Sequence, residues 1–262
     1  MTVEYERREA ETRDGRVGYY EAGMGPRAVV LLHGWTRAPR VWWSVLAATP
    51  AGWRAIAIDY VVRSEPPRDG YNIPALAGRA AALLDALGLD RAAVAGHSMG
   101  GQVALEFALR YPARLDRLVL ACTGADTPKQ GTTGSAAVEL LRQTGKTPET
   151  MRRILRGWFH DDPPAADMAA MLEDAMLWPE AALFGIRGSM EEHDYRPRLG
   201  AIAAPTLVVH AEHDYRPVAA AEAMARGVQQ GRLVVIPGCG HTPTQETPAA
   251  FNQHFWRFLQ EG

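Results

Sequence analysis

Residues 94–108 read VAGHSMGGQVALEFA and set one serine, Ser98, among Gly96, Gly100 and Gly101, after an apolar run and before a helical pattern. Glycine is needed where backbones approach closely or where φ turns positive. Small residues at four of the six positions 96–101 predict a turn too tight for side chains, made where a strand becomes a helix almost at once. That turn decides how the rest is read.

Outward from it, the same alternation runs through most of the chain. RAVVLLHG (27–34), WRAIAID (53–59), AAVAGHS (92–98), RLVLACT (117–123), PTLVVHA (205–211) and GRLVVIPG (231–238) are short apolar runs bounded by Gly, Pro or polar residues. Such runs read as strands buried on both faces. Helical patterns follow several of them, at 73–88, 100–112, 218–228 and 248–260. The opening VEYERREAETRDGRVGYYEAG alternates around Asp14-Gly15 and predicts an antiparallel hairpin at the sheet edge. The expected class is α/β: a mostly parallel, doubly wound sheet of eight strands with helices on both faces.

Residues 124–200 break the rhythm with helical pieces and no strand. They predict an all-helical cap inserted before the last two strands, over the sheet's C-terminal edge, with 1–123 and 201–262 as the core. Most of its large apolar residues, Trp158, Phe159, Met168, Met171, Met176, Trp178 and Phe184, are expected to pack helix on helix. Trp158, Trp178 and Phe184, with His33 from the core, are the candidates for a pocket wall. EHDYRP occurs at 192–197 and again at 212–217, too short to be a structural repeat.

Composition narrows the partners. The chain has 262 residues, 47% hydrophobic and 22% charged, with a net charge of −2, so it carries no basic footprint for nucleic acid or an anionic membrane. No apolar run approaches the roughly 20 residues of a membrane span. The first residues, MTVEYERREAETRDG, lack the apolar centre of a signal peptide. Cys122 and Cys239 do not make a disulfide framework and fit a reducing compartment. A cytoplasmic protein is expected, acting on a small molecule, without cofactor and without metal, since no histidine–carboxylate spacing resembles a ligand set.

G-x-S-x-G between a strand and a helix is a nucleophile elbow. A serine hydroxyl needs a base to take its proton, and the base needs a carboxylate to hold its tautomer. Eight histidines compete: His33, His97, His160, His193, His210, His213, His241 and His254. His97 is one residue from the serine and points away along its own backbone; His254 lies mid-helix. His241 follows the last strand on a glycine-bounded loop, at the sheet edge where parallel sheets assemble their sites. Asp214 follows strand 205–211, between serine and histidine in chain order, and is preferred to its neighbour Glu212. Asp194, in the other EHDYRP copy, follows a helix and reads as a decoy; Asp126 is the second choice. Oxyanion donors are expected from the N–H of Met99 and, across His33-Gly34, from the N–H of Trp35. Trp42-Trp43 suit a pocket wall or plain packing equally.

The set H-G-W, G-H-S-M-G-G, E-H-D and G-C-G-H, in that order over about 17–260, resembles the α/β-hydrolase fold superfamily, within it single-domain esterases, enol-lactone hydrolases and cofactor-free haloperoxidases (perhydrolases). The resemblance implies Ser98 as nucleophile, Asp214 as acid, His241 as base, Trp35 and Met99 as oxyanion hole, and 124–200 as cap domain. It implies hydrolysis of a small carboxylic ester or lactone. One stretch departs: where relatives read D-x-R-G-x-G-x-S, this chain has Asp59-Tyr60-Val61-Val62-Arg63-Ser64, shorter and without glycine. HGWTRAPRVW also resembles the oxyanion loop of cofactor-free hydroxyquinolone 2,4-dioxygenases, which work with a His–Asp pair whose acid follows the preceding strand, where Asp126 is nearest. A binding protein without turnover is the third class this fold hosts.

Overall fold

The computed structural model describes residues 5–261. Val3 and Glu4, at the head of the predicted hairpin, lie outside the described residues. Eight strands form one sheet: β1 (Arg8–Thr12), β2 (Gly15–Ala22), β3 (Arg27–Leu32), β4 (Trp53–Asp59), β5 (Ala92–His97), β6 (Leu115–Ala121), β7 (Thr206–Ala211) and β8 (Gly231–Ile236). Their order is β1-β2-β4-β3-β5-β6-β7-β8. β1 and β2 pair antiparallel, as does β2 with β4, and every other neighbour is parallel.

The helices are α1 (Trp43–Ala47), α2 (Ile73–Ala86), α3 (Met99–Arg110), α4 (Thr133–Thr144), α5 (Pro148–Arg156), α6 (Ala165–Met176), α7 (Glu180–Glu192), α8 (Val218–Gly227), α9 (Pro243–Glu246) and α10 (Pro248–Gln260). They cover the sheet from both sides, which is why its central strands are apolar at consecutive positions. Along β3, Val30 and Leu32 enter the layer that holds α2 and α3, while Val29 and Leu31 enter the layer of α1 and α10. Burying each such side chain contributes about 1.5–3 kcal/mol.

β8 corrects the sequence reading. It was expected to be buried on both faces, yet Val235 is 38% exposed and much of the strand only half covered. It is the sheet's outer strand, so one long side lacks a neighbour.

Between β6 and β7 lie four helices, α4 to α7. Leu141, Met151, Leu155, Met168, Met171, Leu183 and Ile186 join the same apolar cluster as α2 and α3. Thr132 and Thr147 cap α4 and α5 through their hydroxyls. No helix among the described residues is long and apolar enough to cross a membrane.

Candidate active site

Ser98 sits where β5 meets α3, at φ 55° and ψ −120°, a backbone conformation that costs an L residue on the order of 1–3 kcal/mol. Its N–H donates to the Ala121 carbonyl at 2.9 Å, and its carbonyl accepts from Thr123 Oγ1 at 2.7 Å. The glycines answer the question of the tight turn. A Cβ on Gly96 would strike the Gly100 carbonyl, one on Gly100 would strike Leu32 and His33 main chain, and one on Gly101 would strike Thr123. None of the three has positive φ; that strain falls on the serine, with Thr36 (φ 61°) and Cys122 (φ 46°) strained on loops beside it. The glycines serve close approach.

The sheet order brings three distant side chains to one edge. His241 Nε2 lies 2.8 Å from Ser98 Oγ, and its Nδ1 lies 3.1 Å from each Asp214 carboxylate oxygen. The Asp214 side chain is fully buried. Burial alone would raise its pKa, but the charge and hydrogen bond of His241, the Arg216 N–H and His210 outweigh it and bring the carboxyl down to about 2. An ionised acid, an imidazole between, and a hydroxyl on its far nitrogen can move a proton off the serine.

The loop of His241 is gathered by Glu246, whose carboxylate accepts the N–H groups of Gly240 at 3.0 Å, Thr242 at 3.0 Å and His160 at 2.8 Å. Glu212 instead accepts from Gly238 N–H at 2.9 Å and does not reach the base. Asp194 is exposed and pairs with Arg196 at 2.8 Å; Asp126 also pairs with Arg196, at 3.4 Å.

Gly34 lies against the serine: a Cβ there would come within 3.2 Å of Ser98 Cβ. This brings the Gly34 main chain against the elbow, and Met99, first residue of α3, has an N–H with no acceptor within the helix. The Trp35 indole donates to the Leu183 carbonyl of α7 at 2.9 Å.

The cavity around Ser98 is lined by Trp35, Arg37, Trp158, Arg187, Met190 and Tyr215 besides Ser98 and His241, and its free space is only about 20 Å³, room for about one water. Of the four expected wall residues, Trp158 is there. His33 is not: it is fully buried and stacks on Tyr60 at 4.3 Å. Trp178 is not either, because its buried indole donates to the Arg37 carbonyl at 2.8 Å. Phe184 faces out of α7, 37% exposed, onto an outer groove. Trp42 packs on Phe251 and Phe255, and Trp43 on Tyr5 and Tyr20. The glycine-free loop after β4 also stays out of the cavity. Asp59 accepts the Val62 and Arg63 N–H groups, and Tyr60 holds the His33 carbonyl from below.

Missed by sequence reasoning were Arg37, Arg187, Met190 and Tyr215, and two bracing histidines. His97 Nε2 donates to the His241 carbonyl and His210 Nε2 to the Arg216 carbonyl. Tyr215 was the most legible of them, being next to the chosen acid. Cys122, Asp214 and His241 offer ligand atoms within 4.8 Å of one another. Burial raises the Cys122 thiol well above its ordinary range, so it is no ready thiolate, and the other two already engage each other.

The profile of the alpha/beta hydrolase family matches residues 29–254. The chain is 32% identical to the 2-hydroxy-6-oxononadienedioate/2-hydroxy-6-oxononatrienedioate hydrolase of Paraburkholderia xenovorans, over 94% of this chain and 92% of that one. It is 30% identical to the 2-hydroxy-6-oxo-6-phenylhexa-2,4-dienoate hydrolase of Comamonas testosteroni, over 97% and 94%. The enol-lactonase of Burkholderia xenovorans LB400 shares the fold, with a TM-score of 0.85 at 23% identity, covering 97% of this chain and all of that one. Eight strands in this order, a serine on a strained elbow and these relatives together place the chain in the alpha/beta hydrolase family.

Proposed function

We propose that the protein is a serine hydrolase for a small carboxylic ester or lactone. The observation that carries this is His241 standing between Ser98 Oγ at 2.8 Å and the Asp214 carboxylate at 3.1 Å. Ser98 Oγ attacks the substrate carbonyl while His241 Nε2 takes its proton. The resulting oxyanion is held by the Trp35 and Met99 N–H groups, where one donor is worth about 2.7–4 kcal/mol of the barrier. Collapse expels the alcohol, protonated by His241, and leaves an acyl-enzyme. Water then attacks the acyl carbon, gives its proton to His241, and the acid departs. Asp214 steadies the imidazolium in both halves without taking the proton. Residues 124–200 serve as the cap, since Trp158, Arg187 and Met190 close the cavity from above.

A second reading keeps the same residues and changes the bond. Relatives at 30–32% identity over nearly the whole chain are named as hydrolases of oxo-dienoic acids, which favours cleavage of a carbon–carbon bond next to a ketone, the leaving carbon taking the proton.

A fluorophosphonate probe tests the shared mechanism. It should label the wild type and not Ser98→Ala, which should also lose p-nitrophenyl acetate turnover. Labelling of Ser98→Ala, or turnover that survives it, would overturn the reading. Steady-state rates on a lactone, a simple ester and a 2-hydroxy-6-oxo-dienoic acid then separate the two bonds.

A further inference from the structure

Arg37 is an unusual occupant of a catalytic cavity. It is 4% exposed and lines the space that holds Ser98 and His241. Its Nη2 donates to Gln245 Oε1, but its Nη1 is buried without any hydrogen-bond partner. Among the described residues no carboxylate lies within 4.0 Å of it. Asp174 and Glu246 attract it from farther off, but a buried cation with no carboxylate in contact still costs free energy, and an orphaned N–H adds to that. Such a group persists in a fold when something else meets its charge.

The side chain is held in place for that purpose. The Arg37 N–H closes a turn onto the Gly34 carbonyl at 3.2 Å, across Thr36 with φ 61°, so the loop that covers the serine also aims the arginine. Its carbonyl is fixed by the Trp178 indole, and its guanidinium lies 5.5 Å from the Phe159 ring centroid. Arg187, the other guanidinium of the cavity, differs: Glu191 neutralises it at 2.8 Å and the Pro128 carbonyl takes a further N–H at 3.3 Å. Of the two, Arg37 alone has no carboxylate in contact and a buried N–H without a partner. Burial lowers its pKa to about 10, which leaves it a cation at neutral pH.

We infer that Arg37 is a specificity-determining residue that binds a carboxylate carried by the substrate, so that the preferred ester, lactone or ketone is that of a small acid with a second, free carboxylate. The inference rests on the proposed function for the reacting end, at Ser98. Trp35, Trp158, Met190 and Tyr215 line the rest of the cavity and stand nearly closed, with free space of about 20 Å³, so a carbon chain between the two ends enters as they part. A planar guanidinium meets a carboxylate with two parallel hydrogen bonds, which also fixes where the carbonyl stops.

The test compares the p-nitrophenyl monoester of glutaric acid with its terminal amide, which has the same shape without the charge. The wild type should prefer the acid in kcat/KM by roughly ten- to hundred-fold, the worth of a charge-assisted hydrogen bond. Arg37→Gln should bring the ratio to about one, Arg37→Lys should restore part of it, and Arg187→Gln should retain it. No preference in the wild type, a ratio that survives Arg37→Gln, or a ratio lost with Arg187→Gln instead would each overturn the assignment. Calorimetry of glutarate and glutaramide on Ser98→Ala is independent of turnover. Tighter binding of glutarate that disappears in the Ser98→Ala/Arg37→Gln protein upholds the anchor even if no ester is cleaved, in which case the hydrolase reading fails by itself. Equal binding of the two sinks the anchor whatever any variant does.

Discussion

His97 Nε2 donates a hydrogen bond of 2.7 Å to the main-chain carbonyl of His241, so the residue before Ser98 holds the backbone of His241. The two rings stand 5.1 Å apart. Misplacing a reacting group by an ångström can cost about a hundred-fold in rate. His97→Ala should therefore lower kcat by roughly ten- to a hundred-fold with KM little changed, and His97→Asn, which keeps a donor, should recover part of it. A proportional fall in the amount of folded protein, with kcat per active site intact, would show the bond to be merely structural.

Asp214→Asn should keep the fold and lose roughly 10⁴-fold in kcat, because the amide no longer selects the productive imidazole tautomer. Titration of active sites with a phosphonate, followed by rates per labelled site, measures this directly. Asp194→Asn, in the exposed copy of the hexapeptide, should leave kcat within a factor of about two, the usual size of a surface change away from the site.

Acid should destabilise the protein earlier than its carboxylates alone would. Burial brings the pKa of His97 down to about 3 and that of His33 to about 4, from an ordinary 6.5. The unfolded chain takes up these protons first, so stability is full above about pH 6.5. It falls below that by about 1.4 kcal/mol per pH unit for each histidine until the folded values are reached. Asp214, depressed to about 2, adds a further loss only as pH drops from about 4 toward 2. Urea unfolding between pH 8 and 4.5 should be flat at the alkaline end and slope from about 6.5; a curve flat down to pH 5 would contradict the burial of these rings.

Two glycine substitutions should have opposite signs. Gly100→Ala drives a methyl into the Leu32 and His33 main chain, and should cost on the order of 1–3 kcal/mol along with activity. Gly188→Ala lies in α7 with nothing within 4 Å of the new methyl and should stabilise by about 0.5–1 kcal/mol. Denaturant midpoints at constant slope decide both.

The strands and the meeting of Ser98, Asp214 and His241 were legible for the same reason: each depends on chain order and local chemistry. Apolar runs between breakers describe a sheet covered on both sides, and a serine, an aspartate and a histidine after the ends of β5, β7 and β8 describe a shared edge. The cavity wall was less legible, because a wall depends on which way a helix rolls. Phe184 and Ile186 are two residues apart in α7, yet one is exposed and the other fully buried. The wall candidates were sought among aromatic residues and a histidine, which left Arg37 and Arg187 out. The hexapeptide EHDYRP makes the limit plain. In both copies the arginine N–H bonds the aspartate two residues before it, at 3.0 and 3.1 Å. Asp194 is left in solvent holding its own Arg196, while Asp214 is carried by β7 to the imidazole. Local sequence made the same turn twice; only the sheet brought one of them to His241.

The conformation of Ser98 bears on the stability of this chain. A glycine at position 98 would relax the main chain at φ 55° and ψ −120° while deleting the hydroxyl. Ser98→Gly should therefore melt at a higher temperature than the working protein and do nothing. Position 98 thus sets stability against reactivity: the residue that suits the backbone best there is one without a hydroxyl. Melting temperatures of the two proteins, with the glycine variant no higher, would withdraw that conclusion.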